Sequence, residues 1–182
     1  RTFQDVTYSD AASKVIGDRY QVTPAVANGD AVSLFDQADT VVPVYFEMQA
    51  TINAVKPNAG NKANAYLIFD WQSNTDFKFA GIDVSTNKLI IGHRDASGWI
   101  TDKWVVAQVK SGTDYVIMLK ANNSTATAII GNTSVSFTFA PRIDGQGIKH
   151  LLNEGITGIG ATGASAQIDN LVVQKAPEPI TV

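Results

Sequence analysis

The chain has 182 residues and a mass of 19.4 kDa, the size of one domain that can bury a substantial core. It contains no cysteine, which excludes disulfide scaffolds, cysteine-ligated metals and thiol nucleophiles. Its 17 acidic and 14 basic residues give a net charge of -3 without a basic run, which argues against a nucleic-acid partner. No apolar stretch approaches the roughly 20 residues of a membrane span, so we expect no membrane insertion.

The finer composition favours strands over helices. The chain has 18 Val, 16 Ile and 16 Thr against 7 Leu, and β-branched side chains suit a pleated sheet better than a helix. It has 14 Asp but only 3 Glu, and Asp is typical of turns, caps and calcium loops. This composition predicts an extracellular all-β module.

The first long strand is predicted over residues 42–55, where apolar and polar side chains alternate with the period of a strand. Shorter strands follow at 65–71, 77–83, 88–94, 99–107, 115–121, 125–130, 134–140 and 166–174, separated by short turns rich in Gly, Asn, Asp, Ser and Thr. Many short strands at this spacing predict an antiparallel β-sandwich or jelly roll. Shared parity predicts a core that includes Phe46, Met48, Ile68, Val135, Phe137 and Ile168.

Two segments differ from this pattern. Residues 144–153 place Ile148, Leu151 and Leu152 at helical spacing, so we expect one short helical segment near 147–153. Residues 176–182 include Pro177 and Pro179 directly after the last strand, which is typical of a stiff spacer. The predicted organisation is one sandwich module over 1–175 and a linker to a neighbouring module over 176–182.

Three stretches of sequence together resemble a known family. They are the opening Phe3-Gln4-Asp5, the block AYLIFDWQSNTDFKFAGIDVSTNKLIIGHRDASGWI at 65–100, and the ending GITGIGATGASAQIDNLVV at 155–173. They are similar to the concanavalin-A-like or laminin-G-like jelly-roll modules of large bacterial surface proteins, including calcium-dependent adhesins. The resemblance implies a secreted or cell-surface setting and neighbouring modules in the same chain; we expect a monomer. It does not fix the activity, because this fold carries lectins, glycosidases, lyases and spacers.

Catalysis is the weaker interpretation of the residues. Glu47, Glu154 and Glu178 lack the spacing of the paired acids that glycosidases on this fold use, and only Asp70 and Asp83 could be near each other on adjacent strands. His93 and His150 have no third partner that the sequence places beside them. We therefore predict a protein that is not an enzyme, with a glycan-active hydrolase or lyase on the same fold as an alternative.

A carbohydrate-binding site is the stronger interpretation. Sugars stack their apolar face on aromatic rings and bond their hydroxyls to a few polar side chains. The central block supplies both, and the candidate ligand-binding residues are Trp71, Trp99, Arg94, Asp70, Gln72 and His93. The tryptophans could instead belong to the core, and the module could be a spacer that binds no small ligand.

The last expectation is a structural calcium ion. Calcium prefers carboxylate, amide and backbone oxygens, which an Asp-rich, cysteine-free chain supplies. The resemblance implies that the N- and C-terminal strands pair and bring Asp5 and Asp169 together, with Asp30 in a tight turn as a further ligand. A divalent cation between these carboxylates would remove their mutual repulsion.

Overall fold

The computed structural model describes residues 3–6, 12–35, 42–57 and 62–175, with side chains described from Ile16 onward. Tail residues 176–182, which we predict to be a linker, lie outside the described residues. The described residues form no helix, and so none of them belongs to a helix able to cross a membrane. Within these ranges the chain forms sixteen strands: β1 (Phe3–Val6), β2 (Ala12–Ile16), β3 (Arg19–Thr23), β4 (Asp30–Phe35), β5 (Tyr45–Val55), β6 (Asn64–Ser73), β7 (Asp76–Asp83), β8 (Lys88–Asp95), β9 (Gly98–Val106), β10 (Tyr115–Asn122), β11 (Thr125–Ile130), β12 (Thr133–Thr138), β13 (Arg142–Ile143), β14 (Lys149–His150), β15 (Ile156–Thr162) and β16 (Ser165–Lys175).

Two seven-stranded sheets pack face to face, which confirms the predicted antiparallel sandwich. The front sheet has the order β1-β4-β15-β6-β7-β8-β9 and the back sheet the order β12-β11-β10-β5-β16-β3-β2. The paired strands of both sheets are antiparallel. This is the jelly-roll architecture that the spacing of strands and turns predicts.

The main core lies between the two sheets. Strand β5 alternates as predicted, because Phe46, Met48, Ala50 and Ile52 are fully buried while the residues between them face outward. Opposite them, the front sheet contributes such residues as Leu67 and Ile91. Of the predicted core residues, Phe46, Met48, Ile168 and Val135 belong to this core, and Phe137 packs against it while only partly buried.

Ile68 is buried on the opposite face of the front sheet. There it belongs to a second apolar cluster, here called the concave-face cluster, which consists of Val32, Leu34, Tyr66, Ile68, Phe77, Phe79 and Ile90, with Trp71 and Trp99 packed against it. Strand β6 is therefore buried on both faces along most of its length, which explains why its sequence is a continuous apolar run rather than an alternation.

The helical segment predicted near 147–153 is wrong. Strands β13 and β14 pair as a small hairpin instead, with Arg142 opposite His150. The Asp144 carboxylate accepts hydrogen bonds from the backbone N–H groups of residues 146 and 148, and Gly147 has a φ of 80°. An Asx turn followed by a left-handed glycine competes with a helical turn, and the apolar spacing does not reveal that competition.

Bulges shape the front sheet at two places. The pairing of β8 with β9 shifts register after Ile91, which leaves Asp102 as the extra residue of the edge strand β9. The pairing of β6 with β7 shifts after Phe69, where Asp70 adopts a φ of 47°. The first bulge places the Asp102 carboxylate 2.6 Å from Nδ1 of His93.

Candidate functional site

The front sheet is strongly curved, as one hydrogen bond across its face shows. Nε1 of Trp99 on β9 donates to Oδ2 of Asp30 on β4 at 2.8 Å. These strands lie five positions apart in the sheet. A flat sheet would separate them by about 24 Å, at roughly 4.8 Å a strand, farther than the two side chains together can reach. The face that carries both residues must therefore be concave.

The floor of this concave face is aromatic. The Trp99 ring lies 5.1 Å from Tyr66 at an interplanar angle of 19°, and it contacts Phe77 and Phe79 at centroid distances of 5.1 and 5.0 Å. A side chain on Gly92 would have no room, because a Cβ there would lie 2.5 Å from Cζ of Phe79 and 2.0 Å from a backbone oxygen of β9. The missing side chain lets the ring lie across the sheet.

A row of polar side chains borders the aromatic floor. The hydrogen-bond partners of the Asn64 amide set its orientation: Nδ2 donates to Oδ1 of Asp83 at 3.1 Å, and Oδ1 accepts from Tyr66 and Thr162. Register places Asp30, Thr162, Asn64 and Asp83 side by side on adjacent strands. Burial raises the pKa of the Tyr66 phenol, so this hydroxyl stays protonated and can donate.

The two carboxylates of this row differ in how fully they are bonded. Asp83 accepts hydrogen bonds from the backbone N–H groups of Ser85 and Thr86 at 2.8 and 3.1 Å, and from the Thr86 hydroxyl at 2.7 Å. For Asp30, Trp99 is the one hydrogen-bond partner found within the described part of the chain. Asp30 is thus the carboxylate with capacity left for a ligand hydroxyl.

The floor and the polar row enclose a pocket of about 390 Å³. This volume lies within the usual range of small-molecule sites. Two exposed side chains also line the pocket: Lys62, which precedes β6, and Thr101 on the edge strand β9. The complete lining is Asn28, Gly29, Asp30, Lys62, Asn64, Tyr66, Phe79, Asp83, Ser85, Thr86, Ile90, Trp99, Thr101 and Thr162.

The predicted ligand-binding residues are divided among three places. Trp99 lies in the pocket, whereas Arg94 and Trp71 lie toward the other end of the concave face, Arg94 directly opposite Phe77 and Trp71 packed on the same apolar cluster. Nε of Arg94 and Nε1 of Trp71 are both buried without a hydrogen-bond partner among the described residues. Trp99, Trp71 and Arg94 therefore lie on one face of the front sheet but not as one contiguous group.

Asp70 and Gln72 lie in the bulge of β6, outside the pocket. The Asp70 side chain is 4 % exposed, and its carboxylate contacts Arg142 at 2.8 Å and Lys78 at 3.5 Å. Burial raises the pKa of Asp70, which the two cations partly offset. Gln72 donates to the same carboxylate at 3.0 Å. Asp70 thus anchors the β13–β14 hairpin to the sandwich.

His93, the last predicted ligand residue, pairs with Asp102 at the β9 bulge and does not line the pocket. It neighbours Gly92 in β8, and because side chains alternate along a strand it lies on the face opposite the pocket. The contact between His93 and Asp102 stabilises the bulge of β9.

The alternative pair of catalytic carboxylates is not brought together. Asp83 ends β7, whereas Asp70 lies beside Lys78, five residues earlier on that strand. Five residues of strand span roughly 16 Å, beyond the separation that glycoside hydrolysis needs. The suggestion that Asp70 and Asp83 act as a pair is therefore wrong.

The three aspartates predicted to bind calcium are also separated. β1, which carries Asp5, pairs with β4, while β16, which carries Asp169, lies between β5 and β3 in the other sheet. The expected pairing of terminal strands is therefore wrong. Asp30 lies on the concave face, bonded to Trp99. Among the described residues no group of three His, Cys, Asp or Glu side chains could hold a metal.

Sequence reasoning missed most of the pocket. Tyr66 and Asn64 begin β6 and look like ordinary strand residues, and Asp83 looks like a turn cap. Trp104 is not among the predicted ligand-binding residues, although it is the most exposed tryptophan, at 50 %. A period-two count would have placed Asn64, Tyr66 and Ile68 on one face, but the count alone does not show that this face is concave.

No family model matches the chain, and no curated protein sequence matches it either. Solved structures resemble it closely in fold at low sequence identity. The carbohydrate-binding module CBM66 from Bacillus subtilis has a TM-score of 0.75 at 12 % identity, covering 95 % of each chain. The VIP36 exoplasmic/lumenal domain, in its Ca2+/Man3GlcNAc-bound form, has a TM-score of 0.66 at 8 % identity, covering 99 % of this chain and 85 % of that one.

A third structure, a Bacillus subtilis protein of unknown function with a galectin-like fold, has a TM-score of 0.64 at 8 % identity and covers 98 % of this chain and 90 % of that one. Identities this low establish the fold and leave the ligand open. The chain is therefore a jelly-roll sandwich of the kind found in carbohydrate-binding modules and lectins.

Proposed function

We propose that this chain is a non-catalytic carbohydrate-binding module and that its concave-face pocket holds one sugar residue of a glycan. The observation that carries the proposal is the combination of a stacked aromatic floor, Trp99 on Tyr66, with a bordering row of hydroxyl, amide and carboxylate groups. Sugars need both kinds of contact. The fold of CBM66 and VIP36 supports the proposal, since the names of both structures describe carbohydrate binders.

The charge and bonding of the pocket favour binding over catalysis. Asp83 uses its carboxylate to cap the β7–β8 turn and to orient Asn64, so it is not a free acid or base. Asp30 has an oxygen available to accept from a sugar hydroxyl, and such a bond to a charged group is among the stronger contacts in protein–sugar recognition. The fold also leads us to propose a secreted or cell-surface setting. We do not include calcium in the proposed function.

The test compares glycan binding by the wild type, Asp30→Asn and Asp169→Asn. Asn at position 30 can still accept from Nε1 of Trp99, so the fold should persist while the charged acceptor is lost. We expect at least a tenfold loss of affinity, corresponding to about 1.4 kcal/mol. Asp169→Asn is the matched control, because β16 belongs to the other sheet.

A glycan array identifies the ligand, and titration calorimetry measures the two variants against it. If the wild type binds no glycan at millimolar concentration, the proposal is refuted and a spacer role gains support. Release of reducing sugar from a bound glycan would instead support the hydrolase alternative.

A further inference from the structure

Trp104 occupies an unusual position beside the pocket. Its side chain is half exposed on the edge strand β9, directly opposite Ile90, which lines the pocket. Directly opposite residues of antiparallel strands share a face, so Trp104 belongs to the concave face. Thr101, on the same strand, also lines the pocket. The surface of Trp104 is therefore a continuation of the pocket wall toward the edge of the sheet.

Lys88 lies over this ring. Its Nζ is 4.2 Å from the centroid of Trp104, and the residue is opposite Asp83 in the register of β7 and β8. No ion pair among the described residues includes Lys88. Asp83 is its cross-strand neighbour, but the Asp83 carboxylate already accepts hydrogen bonds within the β7–β8 turn. An ammonium group has three donors, and the contact with a ring face uses none of them in an ordinary hydrogen bond.

The distribution of charge across the face is uneven as a consequence. The pocket contains two carboxylates, Asp30 and Asp83, and one ammonium group, Lys62, so its net negative charge disfavours an anionic ligand group at that point. The adjoining surface contains an aromatic ring and an ammonium group without a carboxylate partner among the described residues. The pocket therefore disfavours an anionic ligand group, whereas the adjoining surface on the same face favours one.

We propose that Trp104 and Lys88 form a second subsite, which takes an anionic sugar residue adjacent to a neutral residue in the pocket. The inference rests on the proposed function and extends it to the ligand class: an acidic oligosaccharide. The apolar face of the anionic residue stacks on the face of Trp104 that Lys88 does not cover, and its carboxylate or sulfate group accepts from the Lys88 ammonium at the edge of the ring. Such a charge-assisted bond is stronger than one between neutral groups.

The experiment measures affinities of the intact chain for oligosaccharides matched in length: a neutral one, one with a uronate and one with a sulfate. The variants are Trp104→Ala, Lys88→Met and the control Lys103→Met. Lys103 is exposed on the same strand next to Trp104, but the alternation of side chains directs it to the other face. Met keeps most of the length of the lysine stem and removes the charge.

We expect the wild type to bind one or both anionic oligosaccharides about tenfold more tightly than the neutral one. Comparing the uronate with the sulfated oligosaccharide shows which anionic group the subsite prefers. Lys88→Met should remove this preference and reduce the dependence of affinity on salt, while its affinity for the neutral ligand stays unchanged. Trp104→Ala should weaken binding of all three oligosaccharides but not of a monosaccharide. Lys103→Met should match the wild type.

A preference for anionic ligands that survives Lys88→Met, or oligosaccharide affinities unchanged in Trp104→Ala, overturns the second subsite. Equal affinity of the wild type for neutral and anionic ligands overturns it as well. If these results occur while Asp30→Asn still loses binding, the pocket proposal stands and only the subsite fails. If the wild type binds no glycan at all, both fail together.

Discussion

The hydrogen bond between Trp99 and Asp30 can be measured as a coupling energy across the front sheet. Trp99→Phe keeps an aromatic ring but removes the N–H donor, and Asp30→Ala removes the acceptor. Each single variant also changes local packing, and the double-mutant cycle cancels those separate costs. What remains is the interaction between β4 and β9, two strands that would be far apart if the sheet were flat.

The expected coupling follows from the geometry. Hydrogen bonds to charged groups contribute about 1.5–3 kcal/mol, and the partial exposure of both side chains favours the lower end. We therefore expect a coupling of about 1.5 kcal/mol, which in a chain of this size corresponds to a shift of roughly 3–6 °C in Tm. The loss should appear as a lower urea midpoint with an unchanged m-value.

The assay is urea unfolding of the wild type, both single variants and the double variant. A second cycle, pairing Asp30→Ala with Trp104→Phe, is the control, because Trp104 contacts Lys88 rather than Asp30. That control should be additive to within about 0.5 kcal/mol. Equal additivity in the Trp99 cycle would show that the two side chains do not meet, and the concave face would then have to be abandoned.

Two further predictions concern the same scaffold. Gly92→Ala should destabilise the fold by about 1–3 kcal/mol, because the new Cβ would overlap a backbone oxygen of β9; Gly145→Ala, where a Cβ meets no atom within 4 Å, should be close to neutral in thermal melts. The β13–β14 hairpin should be best protected in mild acid, because Glu154 and Asp144 raise the pKa of His150 and their own pKa values are lowered. The histidine's contribution is complete below its ordinary pKa of about 6.5 and is lost as the pH rises through the raised value, whereas that of the carboxylates is lost in strong acid. Hydrogen exchange at pH 5.5 and 8.5, corrected for intrinsic rates, measures this, and equal protection at both values would contradict it.

The strands that the sequence predicts well are those with one buried face or clear turns at both ends. β5 is such a strand, because its alternating pattern depends only on which residues face the main core. β15 was not predicted, since Gly158 and Gly160 interrupt its apolar residues. A Cβ at Gly158 would lie 2.3 Å from a backbone oxygen of β4, so packing between neighbouring strands, not local propensity, selects these glycines.

The pocket was predictable only in part for a related reason. Trp99 could be chosen from residue type alone, because a large aromatic ring offers an apolar surface on which a sugar can stack. Its partner Asp30 was assigned to calcium, because the sequence does not show that the sheet curves enough to bring β4 to β9. Asp70 was assigned to the ligand, yet the bulge of β6 directs it to Lys78 and Arg142. Curvature and bulges are properties of the assembled sheet, and no single strand encodes them.

The bulge at Asp102 also changes the edge that β9 presents to other chains. β9 ends the front sheet, and a straight edge strand of nine residues would be a template for the edge of another chain. The extra residue divides that edge into two short stretches, and the 2.6 Å contact with His93 holds the interruption in place. This edge of the front sheet is therefore a poor template for a strand of another chain. Deletion of Asp102 would join the two stretches into one continuous edge and make the chain prone to aggregation.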